Sequence, residues 1–237
     1  MEEAPLAPFL LSGGSKLAKL MFDPQQLPIE SIAGEAAVAP ERLTPAWLRG
    51  RFAEQPLWTP ETGEQALPGR AERPPTAASV LIPLVPRESG LTLLLTQRTA
   101  HLTDHAGQIS FPGGRAEDYD SSAIDTALRE SEEEIGLARR HVDILGTLPK
   151  YLTGTGYCVT PVVGLVTPPF ELAADPSEVA EIFEVPLAFL MDGLNHQRLT
   201  VELPGGRRTF YAMPYNDYYI WGATAGMLRN LFHFLRA

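Results

Sequence analysis

Eleven of the chain's 22 prolines fall within its first 75 residues, under a third of a length of 237. Each proline fixes φ and removes a backbone donor. This stretch is therefore expected to run largely extended. One short helix is expected within it: Thr44 as N-cap, Pro45 at the first helical position, then Trp47, Leu48 and Phe52 at helical spacing. We read residues 1–75 as an N-terminal extension and residues 76–237 as the folded domain. The extension is expected to wrap the core or to build a subunit contact, as in a homodimer. Gly13-Gly14-Ser15-Lys16 lacks the spacing of a complete phosphate-binding loop.

From Ala77 onward the pattern becomes regular. Ser79–Val85 and Leu91–Thr96 are apolar runs joined by Pro86-Arg87-Glu88-Ser89-Gly90, which reads as a hairpin. Gln108–Phe111 reads as a short strand stopped by the turn Pro112-Gly113-Gly114. A helix is expected from Ser122 to Ile135, ended by Gly136. Val142–Leu148 and Val159–Val166 read as strands, and Pro186–Met191 as a helical turn. Leu199–Leu203 and Arg208–Ala212 form a second hairpin. Tyr219–Leu235 reads as a closing helix, with Ile220, Ala223, Met227, Leu231 and Leu235 on one side. Strands mixed with a few helices predict an α+β sandwich, not a doubly wound sheet.

The net charge of −10 argues against non-specific binding to nucleic acid or to an anionic membrane. No run approaches the roughly 20 apolar residues of a membrane span. Glu2 and Glu3 have the wrong sign for a secretory leader, so a cytoplasmic protein is expected. The single cysteine, Cys158, excludes a disulfide framework and any multi-cysteine metal site, and is expected to be buried among apolar neighbours.

The acidic charge has a focus at Glu130, Glu132, Glu133 and Glu134. With Glu130 at the origin of a helical wheel and about 100° per residue, Glu133 falls near about 300° and Glu134 near about 40°. These three carboxylates share a face, while Ile124, Leu128, Ser131 and Ile135 turn toward a core. Glu132 points away and reads as solvated. Arg129 lies four residues before Glu133, within ion-pair reach. Carboxylates stacked on one stripe repel. Either water or a hard divalent cation, which prefers oxygen ligands, must offset that. On the wheel alone both readings stand. The glycine pair upstream lets the backbone approach a metal or phosphate closely, which suits metal-assisted chemistry.

Arg129-Glu130-Ser131-Glu132-Glu133-Glu134-Ile135-Gly136-Leu137 resembles the core of the Nudix box, G-x5-E-x7-R-E-U-x-E-E-x-G-U, where U is a bulky aliphatic. Ser131 stands where the box has an aliphatic residue, and Ser121 where it has its upstream acid, a place Asp120 or Glu117 would take. Upstream, Leu94-Leu95-Thr96-Gln97-Arg98-Thr99 and Gly107 through Gly114 resemble the motif of the coenzyme A pyrophosphatase branch, with Thr103 in place of an arginine. The resemblance spans about residues 77–235.

This resemblance implies an α/β/α sandwich with a mixed sheet and a Mg²⁺- or Mn²⁺-dependent pyrophosphatase. The implied substrate is a nucleoside diphosphate compound, coenzyme A or a derivative. The products would be adenosine 3',5'-bisphosphate and 4'-phosphopantetheine. By position in the box, Glu130 and Glu134 would hold the metal, with a backbone oxygen of Gly114. Glu133 would be a third ligand or the water-activating base; the plain alternative is a salt bridge to Arg129, which would orient carboxylates. Glu178 or Glu181 would supply a base from a late loop, the plain alternative being a turn capped by Ser177. Arg98, Arg115, His105 and Lys150 are candidates for substrate phosphates, and Gly113 for a backbone contact. Tyr151, Tyr157, Tyr215 and Phe210 would stack on an adenine or simply pack. His101, His196 and His233 read as structural. Hydrolysis of ADP-ribose or a dinucleotide is the second reading, and a non-catalytic binding module of the same family the third.

Overall fold

The computed structural model describes residues 22–54, 56–61, 63, 74–101, 107–203 and 206–237. Gly13 to Lys16, Thr103 and His105 lie outside these. Twelve strands and four α-helices are seen among the described residues. The chain enters through β1 (Ile29–Ile32) and α1 (Pro45–Glu54). It continues through β2 (Thr76–Arg87), β3 (Gly90–Arg98), β4 (Ile109–Ser110), β5 (Gly113–Arg115) and α2 (Ala123–Ile135). β6 (Val142–Thr147), β7 (Tyr151–Leu152), β8 (Tyr157–Val166), β9 (Val179–Pro186) and the short α3 (Leu187–Leu190) follow. β10 (Gln197–Leu203), β11 (Gly206–Tyr215), β12 (Tyr218–Trp221) and α4 (Gly222–Arg236) close the chain.

The larger sheet runs β4-β3-β2-β8-β6, with β5 on β2, β7 on β8 and β9 on β3. Its central pair, β2 and β8, is parallel; the other pairs are antiparallel. β2 hands one edge from β5, at Ala78–Val80, to β3, at Leu84–Arg87, and Pro83 falls in the gap. Period-two alternation then splits the core in two. Leu81, Val85 and Leu94 face α2 with Ala127 and Ile135. Ile82, Leu84, Leu93 and Leu95 face α4 with Leu228, Leu231 and Leu235. The result is the expected α/β/α sandwich with a mixed sheet. A smaller sheet, β1-β10-β11-β12, lies beside it.

Several expectations require correction. The first hairpin turns on two residues, because Arg87 pairs with Gly90 and Pro86 with Leu91. Gly113 and Gly114 form no turn: they pair as a strand with Val80 and Ser79. A Cβ on Gly113 would lie 2.4 Å from the Ser79 carbonyl oxygen, so only glycine lets these backbones meet so closely. The closing helix starts at Gly222, since Tyr218–Trp221 is a strand on β11. Cys158 sits inside β8 and is half-buried.

The described part of the extension is built into the core. Thr44 accepts from the Trp47 amide and opens α1, as its residues imply. Val38, Leu48 and Phe52 join the α4-side core. Arg51, nearly buried, donates twice to the Phe234 carbonyl, and Arg42 donates to the carbonyls of Leu235 and Arg236. These cations satisfy the orphan carbonyls at the C-terminus of α4 and complement its dipole. Among the described residues, no helix is long and apolar enough to cross a membrane.

A buried polar knot ties the same elements together. Arg229, 3% exposed, donates to both oxygens of Glu35 at 2.8 and 3.1 Å and to His196 Nδ1 at 3.0 Å. Glu61 Oε1 lies 3.5 Å from Arg229 and 3.3 Å from His233. His196 must donate its other ring proton, from Nε2, to the Leu190 carbonyl at 2.8 Å, so the ring is neutral. Burial first, then the charge of Arg229, hold His196 down to about 4, while the Leu190 bond and the Glu35 carboxylate act the other way. Below its unfolded pKa of about 6.5 the unfolded chain takes up a proton that the folded one refuses. His196 thus contributes stability that is complete above about pH 6.5 and is lost as pH falls toward about 4. Glu35, held near 2 chiefly by its hydrogen bond to Arg229, acts in the same sense at lower pH. Over the same window Glu134 acts in the opposite sense, because burial raises its carboxyl to about 7 and the folded chain then holds a proton that the unfolded one lacks. Between pH 7.5 and 4.5 the wild type is therefore expected to lose about 2 kcal/mol relative to the His196→Gln variant in urea unfolding; an equal pH dependence of the two would assign the acid sensitivity to other groups.

Candidate active site

α2 carries the site, and its ends are locally encoded. Ser122 accepts from the Asp125 amide at 3.1 Å, and Gly136 closes the helix in the left-handed conformation (φ 68°). Ala127, Ser131 and Ile135 are buried, which sets the rotation of the helix on the sheet. Ser131, where an aliphatic residue would pack, instead donates to the Ala127 carbonyl at 2.7 Å. No buried hydroxyl is therefore left unpaired there.

With that rotation, Glu130 and Glu134 turn to the glycine strand. Glu134, side chain 5% exposed, accepts from the Gly113 amide at 3.0 Å. The Glu130 carboxylate packs on Gly114, where a Cβ would approach its carbon to 2.5 Å. The glycine pair thus serves two ends at once. Gly113 has no room for a side chain against β2, and Gly114 has none against Glu130. Gly113→Ala is expected to cost about 2–3 kcal/mol, because it clashes with backbone. Gly114→Ala is expected to leave the melting temperature nearly unchanged, because a flexible carboxylate gives way. Yet it should lower kcat/KM about tenfold or more, since Glu130 is displaced. Thermal melts and kinetics on the two variants check this; equal behaviour would contradict the division.

Arg129 gathers the remaining acids. It donates to both oxygens of Asp120 at 2.8 and 2.9 Å, to Glu130 at 2.9 Å and to Glu133 at 2.8 Å. Asp120, nearly buried, also accepts from Thr126 and from the Glu117 amide. These hydrogen bonds, that of Arg129 foremost, hold its carboxyl far below the usual range. Asp120 thus fixes Arg129, and the Glu117 amide in turn helps hold Asp120. Glu133 is largely exposed and shares one guanidinium nitrogen of Arg129 with Glu130, at 2.8 and 2.9 Å, so it lies beside Glu130 on the solvent side.

The opposite wall comes from β3 and the segment before β9. Arg98 lies 3.5 Å from Glu134 and 3.7 Å from Glu178. Burial pushes Glu134 up to about 7, and the charges of Glu178 and Glu130 add to the rise against the Gly113 amide and Arg98. Burial also raises Glu130, although Arg129 opposes it. Two carboxylates are therefore held where their charge is poorly compensated. Hard oxygen donors in that state suit a divalent cation, which would stabilise both. Among the described residues, no three acidic, histidine or cysteine side chains converge into a complete cage. The carboxylates that the glycine strand admits are Glu130, against Gly114, and Glu134, on the Gly113 amide.

A NUDIX domain family model matches residues 75–200, more than half of the chain. This chain belongs to the Nudix hydrolase family. It is 44% identical over 154 residues, 65% of this chain and 80% of the relative, to "Uncharacterized Nudix hydrolase NudL" of Escherichia coli K12. A crystal structure of the Nudix hydrolase RenU from M. smegmatis is similar at a TM-score of 0.41 and 23% identity, over 47% of this chain and 71% of that one. A MutT protein from Methanosarcina mazei Go1 is similar at 0.40 and 23% identity, over 50% and 82%. The chain is thus a Nudix pyrophosphatase, a class of hydrolases that generally requires divalent metal.

Other candidates of the Nudix hydrolase fall elsewhere. Glu132 is not simply solvated; it accepts from the backbone and side chain of Arg139. Asp175, not Ser177, caps the turn before β9 by accepting from the Ser177 amide at 2.8 Å. Glu181 is on β9 and accepts from Tyr218. Arg115 lies exposed at the end of β5, and Lys150 is exposed between β6 and β7. Tyr151 is core, Tyr215 packs on Phe189, and Phe210 packs on Phe22 and Trp221. Tyr157 is 38% exposed. His101 approaches the Ser177 carbonyl at 3.2 Å, while His196 and His233 belong to the Arg229 knot.

Proposed function

We propose that this Nudix hydrolase cleaves the diphosphate of coenzyme A or its derivatives, releasing adenosine 3',5'-bisphosphate and a 4'-phosphopantetheine moiety. The observation that carries the reading is the wall facing α2. The segment from Leu94 to Gly114, which resembles the coenzyme A pyrophosphatase motif, supplies Arg98 against Glu134 and Glu178, and the glycine pair against Glu130 and Glu134.

In this reading Glu130, Glu134 and a backbone oxygen of Gly114 would hold Mg²⁺ or Mn²⁺. When bound, the cation would neutralise the diphosphate and make a water more acidic. Arg129 keeps Glu130 turned inward and is itself braced by Asp120. Arg98 sits between two carboxylates and would move its guanidinium onto a phosphate. Arg115 and the Gly113 backbone lie on the same strand beside it. Water attacks one phosphorus, the bridging P–O bond breaks, and Glu178 takes the proton; Glu133, the other base, would first have to leave Arg129. ADP-ribose and dinucleotides form the second reading, favoured by Thr103 where the branch motif has arginine.

The test is turnover of coenzyme A, acetyl-coenzyme A, ADP-ribose, NADH and a diadenosine polyphosphate with Mg²⁺ or Mn²⁺, products separated by chromatography. Adenosine 3',5'-bisphosphate from coenzyme A is the expected result. AMP from ADP-ribose with coenzyme A untouched would replace the substrate. No product from any of them would leave the binding-module reading.

A further inference from the structure

The charged side chains of the site can be followed in order along α2. Arg98 stands 3.5 Å from Glu134, Glu130 lies one turn before Glu134, and Arg129 donates to Glu130 at 2.9 Å. Beyond Arg129 comes Tyr119, whose ring centre lies 5.6 Å from the guanidinium carbon. The ring centre is therefore within about 10 Å of the Glu130 carboxylate, reached through one guanidinium and without crossing a strand.

Tyr119 is 73% exposed, more than any other aromatic side chain among the described residues. A single exposed ring is ordinary. This one, however, is carried on a turn fixed at both ends. The Glu117 amide donates to the Asp120 side chain at 2.9 Å, and the Asp120 amide donates back to the Glu117 carbonyl at 3.0 Å. Arg129 then holds Asp120 by two further bonds, and the Ala116 amide ties the start of the turn to the Ala77 carbonyl of β2. One face of the ring rests on the guanidinium; at this exposure the opposite face is open to water. Glu117 and Asp118 are exposed beside the ring, and so is Arg115, whose carbonyl accepts from Arg129 at 3.1 Å. The rim thus carries both signs of charge and does not exclude a phosphate borne on a ribose.

We infer that the open face of Tyr119 is the stacking platform for the base of the nucleoside diphosphate substrate. With the diphosphate over Glu130 and Glu134 and Arg98 at one end, Tyr119 is the flat surface at the other end. The separation is one that a ribose and its 5'-phosphate cover. Every nucleic base has a π-face, so a single ring can hold it without reading its edge. The turn is already ordered, so stacking costs little further freedom of the backbone. This rests on the diphosphate hydrolase reading but not on which nucleotide is cleaved.

The test titrates ADP, and separately pyrophosphate, which carries no base, into the full-length protein with Mg²⁺ by calorimetry. ADP binding is expected to weaken about tenfold in Tyr119→Ala and to stay within about twofold of wild type in Tyr119→Phe, which keeps the ring. Pyrophosphate is expected to bind the wild type and Tyr119→Ala equally. The exposure of Tyr119 leaves little packing to lose, and a thermal melt of each variant confirms the fold. Absence of ADP binding, or ADP bound equally by wild type and Tyr119→Ala, would overturn the inference. So would pyrophosphate weakened as much as ADP, which would make Tyr119 a support for Arg129. Because no hydrolysis is read, the expected ADP pattern without turnover of any substrate would count against the enzymatic reading alone. Turnover with ADP held equally by wild type and Tyr119→Ala would count against the platform alone.

Discussion

The Glu134→Gln variant is expected to lose at least about 100-fold in kcat/KM while melting at the same temperature as the wild type or higher. The loss follows from removing a charge that would hold the cation, worth about 3 kcal/mol of transition-state stabilisation at that factor. The gain follows from burial. Glu134 is nearly enclosed, and its charged form is so poorly accommodated that its pKa rises to about 7. A neutral amide of the same shape removes that penalty and still accepts from the Gly113 amide. Activity and stability therefore move in opposite directions, as expected where a site stores unfavourable charge for function. The checks are steady-state kinetics with Mg²⁺ or Mn²⁺, calorimetric metal binding and a thermal melt. Activity within threefold of wild type would remove Glu134 from the machinery. A fall in both activity and stability would recast it as a structural residue.

Arg229→Met is expected to cost about 2–3 kcal/mol and to lower the melting temperature by about 5–10 °C, with kcat/KM preserved below the transition. Breaking a fully buried ion pair costs more, about 3–5 kcal/mol. Here Glu35 and Glu61 are about one-third exposed and recover some hydration. The remainder comes from His196 and His233, which lose their partner, and from Tyr211 and Phe232, whose rings lie under the guanidinium at 4.8 and 5.1 Å. Glu35→Gln should cost less, and a double-mutant cycle should return a coupling above about 1 kcal/mol. Zero coupling, or loss of turnover in the folded variant, would show that the knot does something other than fasten the extension to α4.

The limits of sequence reading are visible in particular residues. Ser122 and Gly136 bracket α2 because caps act on neighbours in the chain, and Thr44-Pro45 starts α1 for the same reason. The central strands were legible as apolar runs. The turn expected at Pro112-Gly113-Gly114 is instead the start of a strand, because its partner, Ala78 to Val80, lies 33 to 37 positions away and glycine carries no strand signal. Tyr219 to Trp221, expected as the first turn of the closing helix, belongs to the strand Tyr218–Trp221, because so short an apolar run satisfies either period. Arg42, Arg51, Glu35 and Glu61 gave no signal, because their partners lie 168 to 194 residues downstream.

The residues of α2, read alone, determined a capped amphipathic helix with a stripe of carboxylates, since helical rotation is set by local geometry. They also carried the family, because its motif is a run of neighbours. Only the tertiary structure decided which acids act together. Arg129, braced by Asp120, holds Glu130 and the more exposed Glu133 on one guanidinium nitrogen, while a pair of glycines admits Glu130 and Glu134, the latter buried. It alone brought Arg98 against Glu134, with Glu178 on the other side of its guanidinium. The physical reason is range: backbone periodicity and caps act within a turn of helix, whereas burial and charge pairing depend on which distant strands come to lie side by side.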